Sequence, residues 1–304
     1  MPAEVLHYLN CRPGKVYVDC TLGGAGHARL ILEKIFPDGF LIGIDQDIDA
    51  IRNARRILQP FAPHFEIFHR NFSELPQILS SLDIQGVDGI VLDLGLSLHQ
   101  LEAGGRGFSF KKEEPLDMRM DIETHQTAEY LVNDLAFKDL CRIFREYGEE
   151  RLAGPITRKI VQVRRTKRIQ TSRELAQIVT DAVPRKVAAR QKIHPATRVF
   201  MALRIAVNQE LERLRCFMGY AADLLNPGGR LCVISFHSLE DRIVKQRIRE
   251  LEKDCTCPPD FPICVCHTIR KLQSLTRKAI KPAAEEIAVN PMARSARLRA
   301  AEKV

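Results

Sequence analysis

Over the first hundred residues, short β-rich runs alternate with segments of helical spacing, and this order restricts the fold more than any other feature of the chain. Val16–Asp19, Phe40–Asp45, Phe65–Phe68 and Gly89–Leu94 read as strands. Between them, His27–Ile35, Ile48–Leu58 and Glu74–Leu82 carry apolar residues at the spacing of helices packed on a sheet. Parallel strands need such crossovers, so four strands in this order predict a doubly wound α/β fold. With 304 residues and 45 % apolar content, the chain can bury the core that this sheet requires.

Near Gly104 the pattern changes to helices: Thr127–Asp134, Phe137–Glu146 and Arg151–Arg165, with Gly148 as a stop. Thr171 and Glu174 have capping-box spacing ahead of Leu175–Val183. From Pro195 a helical stretch with an expected bend runs toward Leu225. After Pro227, Gly228 and Gly229 the strand signal returns at Arg230–Ser235, followed by an amphipathic helix at Leu239–Leu251. The α/β domain is therefore expected in two parts, residues 1–105 and 210–304, around a helical insertion at 106–209.

Charge is concentrated in that insertion. Between Arg151 and Arg204 there are fourteen Lys or Arg residues against Glu174 and Asp181. This local +12 within a chain of net +8 leaves about −4 elsewhere. Such an excess points to a polyanionic partner, with Arg164, Arg165, Lys167 and Arg168 as the densest cluster and Arg294, Arg297 and Arg299 as a second. A solvated helix face is the alternative. No basic leader precedes an apolar run, and no segment approaches a membrane-spanning length, so a cytoplasmic protein that contacts no membrane is expected.

The turn from Asp19 to His27 contains Gly23, Gly24 and Gly26, which let the backbone approach a ligand closely at the start of a helix. Asp45, ending the second strand, is placed to bind ribose hydroxyls, and Asp93 ends the fourth strand at the crevice where open α/β sheets hold ligands. Arg29 occupies the position of the third glycine of a dinucleotide fingerprint, which weakens a nicotinamide or flavin reading and leaves S-adenosylmethionine, which has no pyrophosphate to cradle. The bland alternative is a tight turn with Asp45 as a helix cap. Phe72 either offers a ring to a flat base or belongs to the core.

Five of the nine cysteines lie among apolar neighbours, as reduced core thiols do. Cys255, Cys257, Cys264 and Cys266, with His267 adjacent, form two C-x-C pairs at a spacing unlike the usual zinc knuckle. Reduced thiols, or a disulfide formed in handling, are the expectation there, and no metal is assigned.

Longer motifs add a resemblance. Asp93–Ser97, Arg106–Phe110, Pro115–Asp121, Tyr147–Arg151, His194–Arg198, Ser235–Lys245 and Asn290–Ala296 are similar to those of the MraW/RsmH family of ribosomal-RNA cytosine-N4 methyltransferases, in a match running from about Val5 to Lys303. The resemblance implies a class I, Rossmann-like S-adenosylmethionine-dependent fold with a helical insertion. It also implies methyl transfer to a cytidine amine in the decoding region of bacterial 16S rRNA, within the small ribosomal subunit. Cofactor contacts carried over by position fall on Ala25, Gly26, His27, Asp45, Phe72, Asp93 and Gln100, and Gly24 of the glycine turn joins them as a cofactor-binding candidate. Three positions depart from the pattern. Ala25 stands at a common glycine, acceptable if its φ stays negative; Gln46 replaces a common arginine; and Leu98-His99 replaces a usual Ser-Pro ahead of Gln100.

The reaction needs a group to accept a hydrogen bond or proton from the amine. Asp93 is the first candidate and His237 the second, each with a structural role as its alternative. A target base must be unpaired or flipped out, and Phe108 and Phe110 are candidates to line its pocket or to pack the insertion onto the sheet. Two competing functions remain at this stage: an NAD-dependent enzyme, and an RNA-binding assembly factor that keeps a relic cofactor fold. Oligomeric state, a homodimer included, is open.

Overall fold

The alternation folds as read. In the computed structural model, β1 (Val16–Asp19), β2 (Phe40–Asp45), β3 (Phe65–His69) and β4 (Val87–Asp93) are parallel. They are accompanied by α1 (Pro2–Leu9), α2 (Gly26–Ile35), α3 (Ile48–Leu58) and α4 (Leu75–Ser81). The structure describes residues 1–102, 105–191, 193–255, 257, 266 and 268–304. They form two units, Met1–Gly95 with Leu211–Val304, and Leu96–Glu210.

The second unit is helical: α5 (Leu98–Glu102), α6 (Ala128–Asp134), α7 (Phe137–Glu146), α8 (Ala153–Arg164), α9 (Ser172–Ala182), α10 (Arg185–Ala188) and α11 (Thr197–Asn208). Its core gathers Leu131, Leu140, Phe144, Ile156, Ile160, Leu175 and Leu203. Leu96 and Leu101 pack on that same core, so this unit begins after Gly95, ahead of the composition change at Gly104. Only half of the α9 capping box forms. Thr171 accepts from the Glu174 N–H at 3.2 Å, but the Glu174 carboxylate accepts from Gln170 N and pairs with Lys167 at 3.0 Å. The expected bend falls at Gln209, whose φ of +51° ends α11.

The chain then returns to the sheet through α12 (Glu210–Tyr220), β5 (Leu225–Ser235), α13 (Ser238–Leu251), β6 (Leu272–Ser274), α14 (Ala284–Val289) and β7 (Arg297–Lys303). Among the described residues the strands form one seven-stranded sheet, ordered β3-β2-β1-β4-β5-β7-β6. β7 runs antiparallel to β5 and β6 on its two sides, and the pairings of β1 to β5 are all parallel. Successive residues of the inner strands face opposite layers. Val18, Ile42, Leu92 and Val233 pack with Leu79, Phe217 and Ile248, whereas Tyr17, Leu41, Val91 and Cys232 pack with Leu9, Leu32 and Leu58. A sheet buried on both faces accounts for the near-continuous apolar runs of β2 and β4.

The charged sequence of β7 conceals its strand character. Arg299 donates to Asp241 of α13 at 2.6 and 3.2 Å, Arg297 lies 3.4 Å from the same carboxylate, and Glu302 accepts from Arg230 of β5 at 2.8 Å. Burial opposes the Asp241 charge, but the Arg299 hydrogen bonds and the two guanidinium charges outweigh it and hold the carboxyl below its usual range. Arg297 and Arg299, read from the sequence as ligands for a polyanion, therefore tie β7 to α13. Asp241→Ala is expected to destabilise the fold by about 3 kcal/mol, since it strands two guanidinium groups, one of them largely buried. Urea denaturation measures this, and an unchanged midpoint would deny the pair a structural role.

Candidate active site

The crevice at the carboxyl edge of β1, β2 and β4 is built by the turn between β1 and α2. Gly23 takes φ +45°, and a methyl group added at Gly24 or Gly26 would meet no atom within 4 Å. Space for a ligand therefore lies directly over the backbone at both glycines. Ala25 does not meet the condition set from the sequence, because its φ is +59°. A left-handed alanine carries strain of about 1–2 kcal/mol, partly offset by burial of its methyl group, worth about 0.8 kcal/mol, in the core beneath the turn. Its N–H donates to Leu22 O at 2.6 Å, so this residue shapes the turn from below.

Asp45 clamps the turn. Its Oδ2 accepts from Gly23 N and its Oδ1 from Asp47 N, each at 2.8 Å. Each oxygen keeps a lone pair for a ribose hydroxyl. Burial pushes this carboxyl up to about 6, against the pull of those two N–H groups. The bland alternative of a helix cap falls to Asp47, which accepts from Asp49 N at the start of α3.

At the next position along the edge, Asp19 and Asp93 flank His27. The His27 Nε2 lies 3.6 Å from Asp93 Oδ2. Burial works against its positive charge, yet the contact with Asp93 and the charge of Asp19 hold the imidazole above its ordinary pKa. Burial raises Asp19 to about 6. Thr21 ties the two strand ends together by accepting from Asp93 N at 2.7 Å. Asp19 Oδ2 and Asp93 Oδ1 are both buried without a hydrogen-bond partner in the protein. Two unsatisfied carboxylate oxygens beside an open glycine turn mark a place for a polar, cationic ligand.

Phe72 is only 8 % exposed and meets Phe217 edge to face at 5.6 Å, so most of its ring belongs to the core. Gln46, at the family's common arginine, accepts from Asn71 Nδ2 at 2.8 Å and from Arg213 at 2.7 Å. A guanidinium thus reaches this loop from α12, a contact that nothing in the local sequence announces. His237 caps α13: its Nδ1 accepts from Glu240 N at 3.4 Å, and Glu240 returns a bond to His237 N. With Nδ1 accepting, the proton of the neutral ring sits on Nε2, which lies 3.1 Å from Glu240 Oε1 without hydrogen-bond alignment.

The remaining candidates lie in the helical unit. Gln100 accepts from Ser97 N at 3.0 Å. Phe108 is buried beneath the Arg106 guanidinium, and Phe110 stacks on His194 at 4.6 Å and meets Phe200 edge to face. Both rings pack within their own unit's core. The basic cluster is largely engaged. Arg164 donates to Val132 O and Leu135 O at the end of α6, and Arg168 pairs with Glu129 and Asp134 at 2.8 Å. With Lys167 bound to Glu174, only Arg165 of the four has neither an ion pair nor a side-chain hydrogen bond among the described residues. The sequence count overlooked acids on α6, outside the counted window. Arg173, Arg185, Lys186 and Arg190 are exposed and likewise make no ion pair among the described residues.

S-adenosylmethionine fits this edge. Its sulfonium and ammonium charges suit Asp19 and Asp93, and Asp45 has lone pairs for a ribose; a dinucleotide would bring an anionic pyrophosphate among three carboxylates. Fold and site together are those of a class I, Rossmann-like methyltransferase. Comparison with known proteins narrows the class: residues 1–304 match the MraW methylase family, and the chain belongs to it. It is 59 % identical to the ribosomal RNA small subunit methyltransferase H of Desulforapulum autotrophicum, the match covering 100 % of this chain and 97 % of that protein. Proteins of the same name from Desulfosudis oleivorans and Geobacter sulfurreducens are 56 % and 53 % identical, over 100 % of this chain and 97 % of each.

Proposed function

We propose that the protein transfers a methyl group from S-adenosylmethionine to the exocyclic N4 amine of a cytidine in bacterial 16S rRNA, acting in the cytoplasm on the small ribosomal subunit. The observation that carries the chemistry is the buried, unpartnered Oδ1 of Asp93, an acceptor without a donor at the carboxyl edge of a methyltransferase sheet. The cofactor, when bound, supplies an electrophilic methyl group on sulfur. Gly24 and Gly26 leave room for it, Asp45 holds its ribose, and Asp19 with Asp93 balances its positive charge. Asp93 accepts a hydrogen bond from the target amine and takes up the proton released there, while His27 holds the other oxygen of the same carboxylate. His237 acts as a positioning residue by fixing the turn between β5 and α13. The acids at positions 45 and 93 count against a non-catalytic RNA-binding relic.

No described helix is long and apolar enough to cross a membrane. Arg165, Arg173, Arg185, Lys186 and Arg190 are well placed for RNA phosphates, because no ion pair among the described residues competes for them. Incubation with labelled S-adenosylmethionine and small subunits lacking the modification should place label on a single cytidine N4 by mass spectrometry; label on another base, or none, would overturn the assignment. Replacing Arg185, Lys186 and Arg190 by Gln should weaken subunit binding and reduce the slope of log affinity against log salt concentration by about one per lost phosphate contact. An unchanged salt slope would remove these residues from the interface.

A further inference from the structure

The connection from Glu252 to Lys271 lies between α13 and β6. None of its described residues is buried, and Ile269 is 82 % exposed. Its base is pinned by Lys271 N donating to Leu251 O and Ser274 N donating to Glu252 Oε1, each at 2.9 Å. Beyond those bonds the chain gathers sulfur. Cys255, Cys257 and Cys266 place all three Sγ atoms within 4.8 Å of one another, and Cys266 Sγ lies 3.7 Å from Cys255 Sγ. A tetrahedral zinc site with Zn–S bonds of about 2.3 Å has S···S edges of about 3.8 Å. That separation is far outside a disulfide bond of about 2.0 Å. The Cys257 N–H also donates to Cys255 Sγ, at 3.3 Å.

We propose that Cys255, Cys257 and Cys266 bind a zinc ion that closes the α13–β6 connection. The two C-x-C pairs were read from the sequence as reduced thiols because of their spacing; the fold brings the thiols together across the chain, where spacing no longer decides. Cys264 and His267 lie outside the described residues, and three thiolates already define the site. On binding, each thiol gives its proton to solvent and the sulfur lone pair to the metal, with no change of oxidation state. A metal cross-link orders a short loop, and the described residues of this one are all at least partly exposed.

The full-length protein, purified under reducing conditions without chelator, should contain about one zinc per chain by elemental analysis. Titration of the metal-stripped protein with Co²⁺ should produce thiolate-to-cobalt charge transfer and the strong visible bands of a tetrahedral site. Cys255→Ser and Cys266→Ser should each lose the zinc, and Cys216→Ser, an exposed thiol outside the cluster, should keep it. Zinc-free protein that gives no thiolate–cobalt band would overturn the proposal even if the variants fail to fold. So would a Cys255–Cys266 disulfide in the freshly prepared chain, or wild-type metal content in both the Cys255→Ser and the Cys266→Ser variant. None of these measurements depends on methyl transfer.

Discussion

Asp93→Ala should lower kcat for methyl transfer by about 10²–10⁴-fold, the range expected when a positioned proton acceptor is removed, with no loss of thermal stability. The second half of this expectation comes from the geometry. Asp93 Oδ1 is buried without a partner, so the native fold already bears the cost of desolvating it, and deleting it removes an unsatisfied group. Its main-chain N–H keeps its bond to Thr21, since that contact does not involve the side chain. His27 loses the partner that raises its pKa. Stability from that pair is fully present below the ordinary histidine pKa near 6.5 and disappears as pH rises through the higher folded value, so any destabilisation of the variant should be confined to acidic solution. Single-turnover rates on small subunits, with calorimetry for cofactor binding and circular dichroism for the fold, separate these effects. Near-normal turnover would remove Asp93 from the chemistry.

Asp45→Ala should weaken S-adenosylmethionine binding by about 10–100-fold, the size of one or two lost charge-assisted hydrogen bonds. Two losses combine: the ribose acceptors disappear, and the Gly23 N–H that shapes the turn loses its partner. The wild-type protein should show a pH signature of the same carboxylate. Its folded pKa, about 6, lies above the unfolded value near 3.8, so the native state binds this proton more tightly. The group therefore favours the fold most at low pH, and that contribution falls as pH rises from about 4 to about 6. Ligand hydroxyls select the ionised form. Affinity should accordingly drop by up to about tenfold per pH unit below about 6. Asp45→Asn should shrink this step, leaving the part due to Asp19, whose carboxyl titrates in the same range. Wild-type affinity in Asp45→Asn at pH 8 would exclude the ribose role.

Much of the scaffold was legible because its determinants are local. The ranges of β1, β2, α3 and α7 follow from runs of a few residues whose period matches their environment, and the βα order dictates parallel pairing. The glycine turn and the acids ending β1, β2 and β4 were legible for the same reason: in a doubly wound sheet, strand ends and the turns after them form the ligand edge. β7 was hidden because its apolar positions alternate with charges that are satisfied only by partners distant in the chain, Asp241, Arg230 and the Ala222 carbonyl.

What the sequence by itself determined is the repeating βα frame, the positions of its caps and turns, and the acids that end β1, β2 and β4 at the carboxyl edge. The tertiary structure alone decided which charges are free to act. Arg164 and Arg168 look like an RNA-binding cluster until carbonyls and acids of α6 reach them, Arg299 until Asp241 does, and Gln46 gains its guanidinium from Arg213 on a distant helix. Three thiols became a candidate metal site in the same way. The reason is one of range. Backbone periodicity is set by neighbours within a turn or two, whereas the availability of a charge or thiol depends on whichever group the fold brings within a few ångströms, from any distance along the chain.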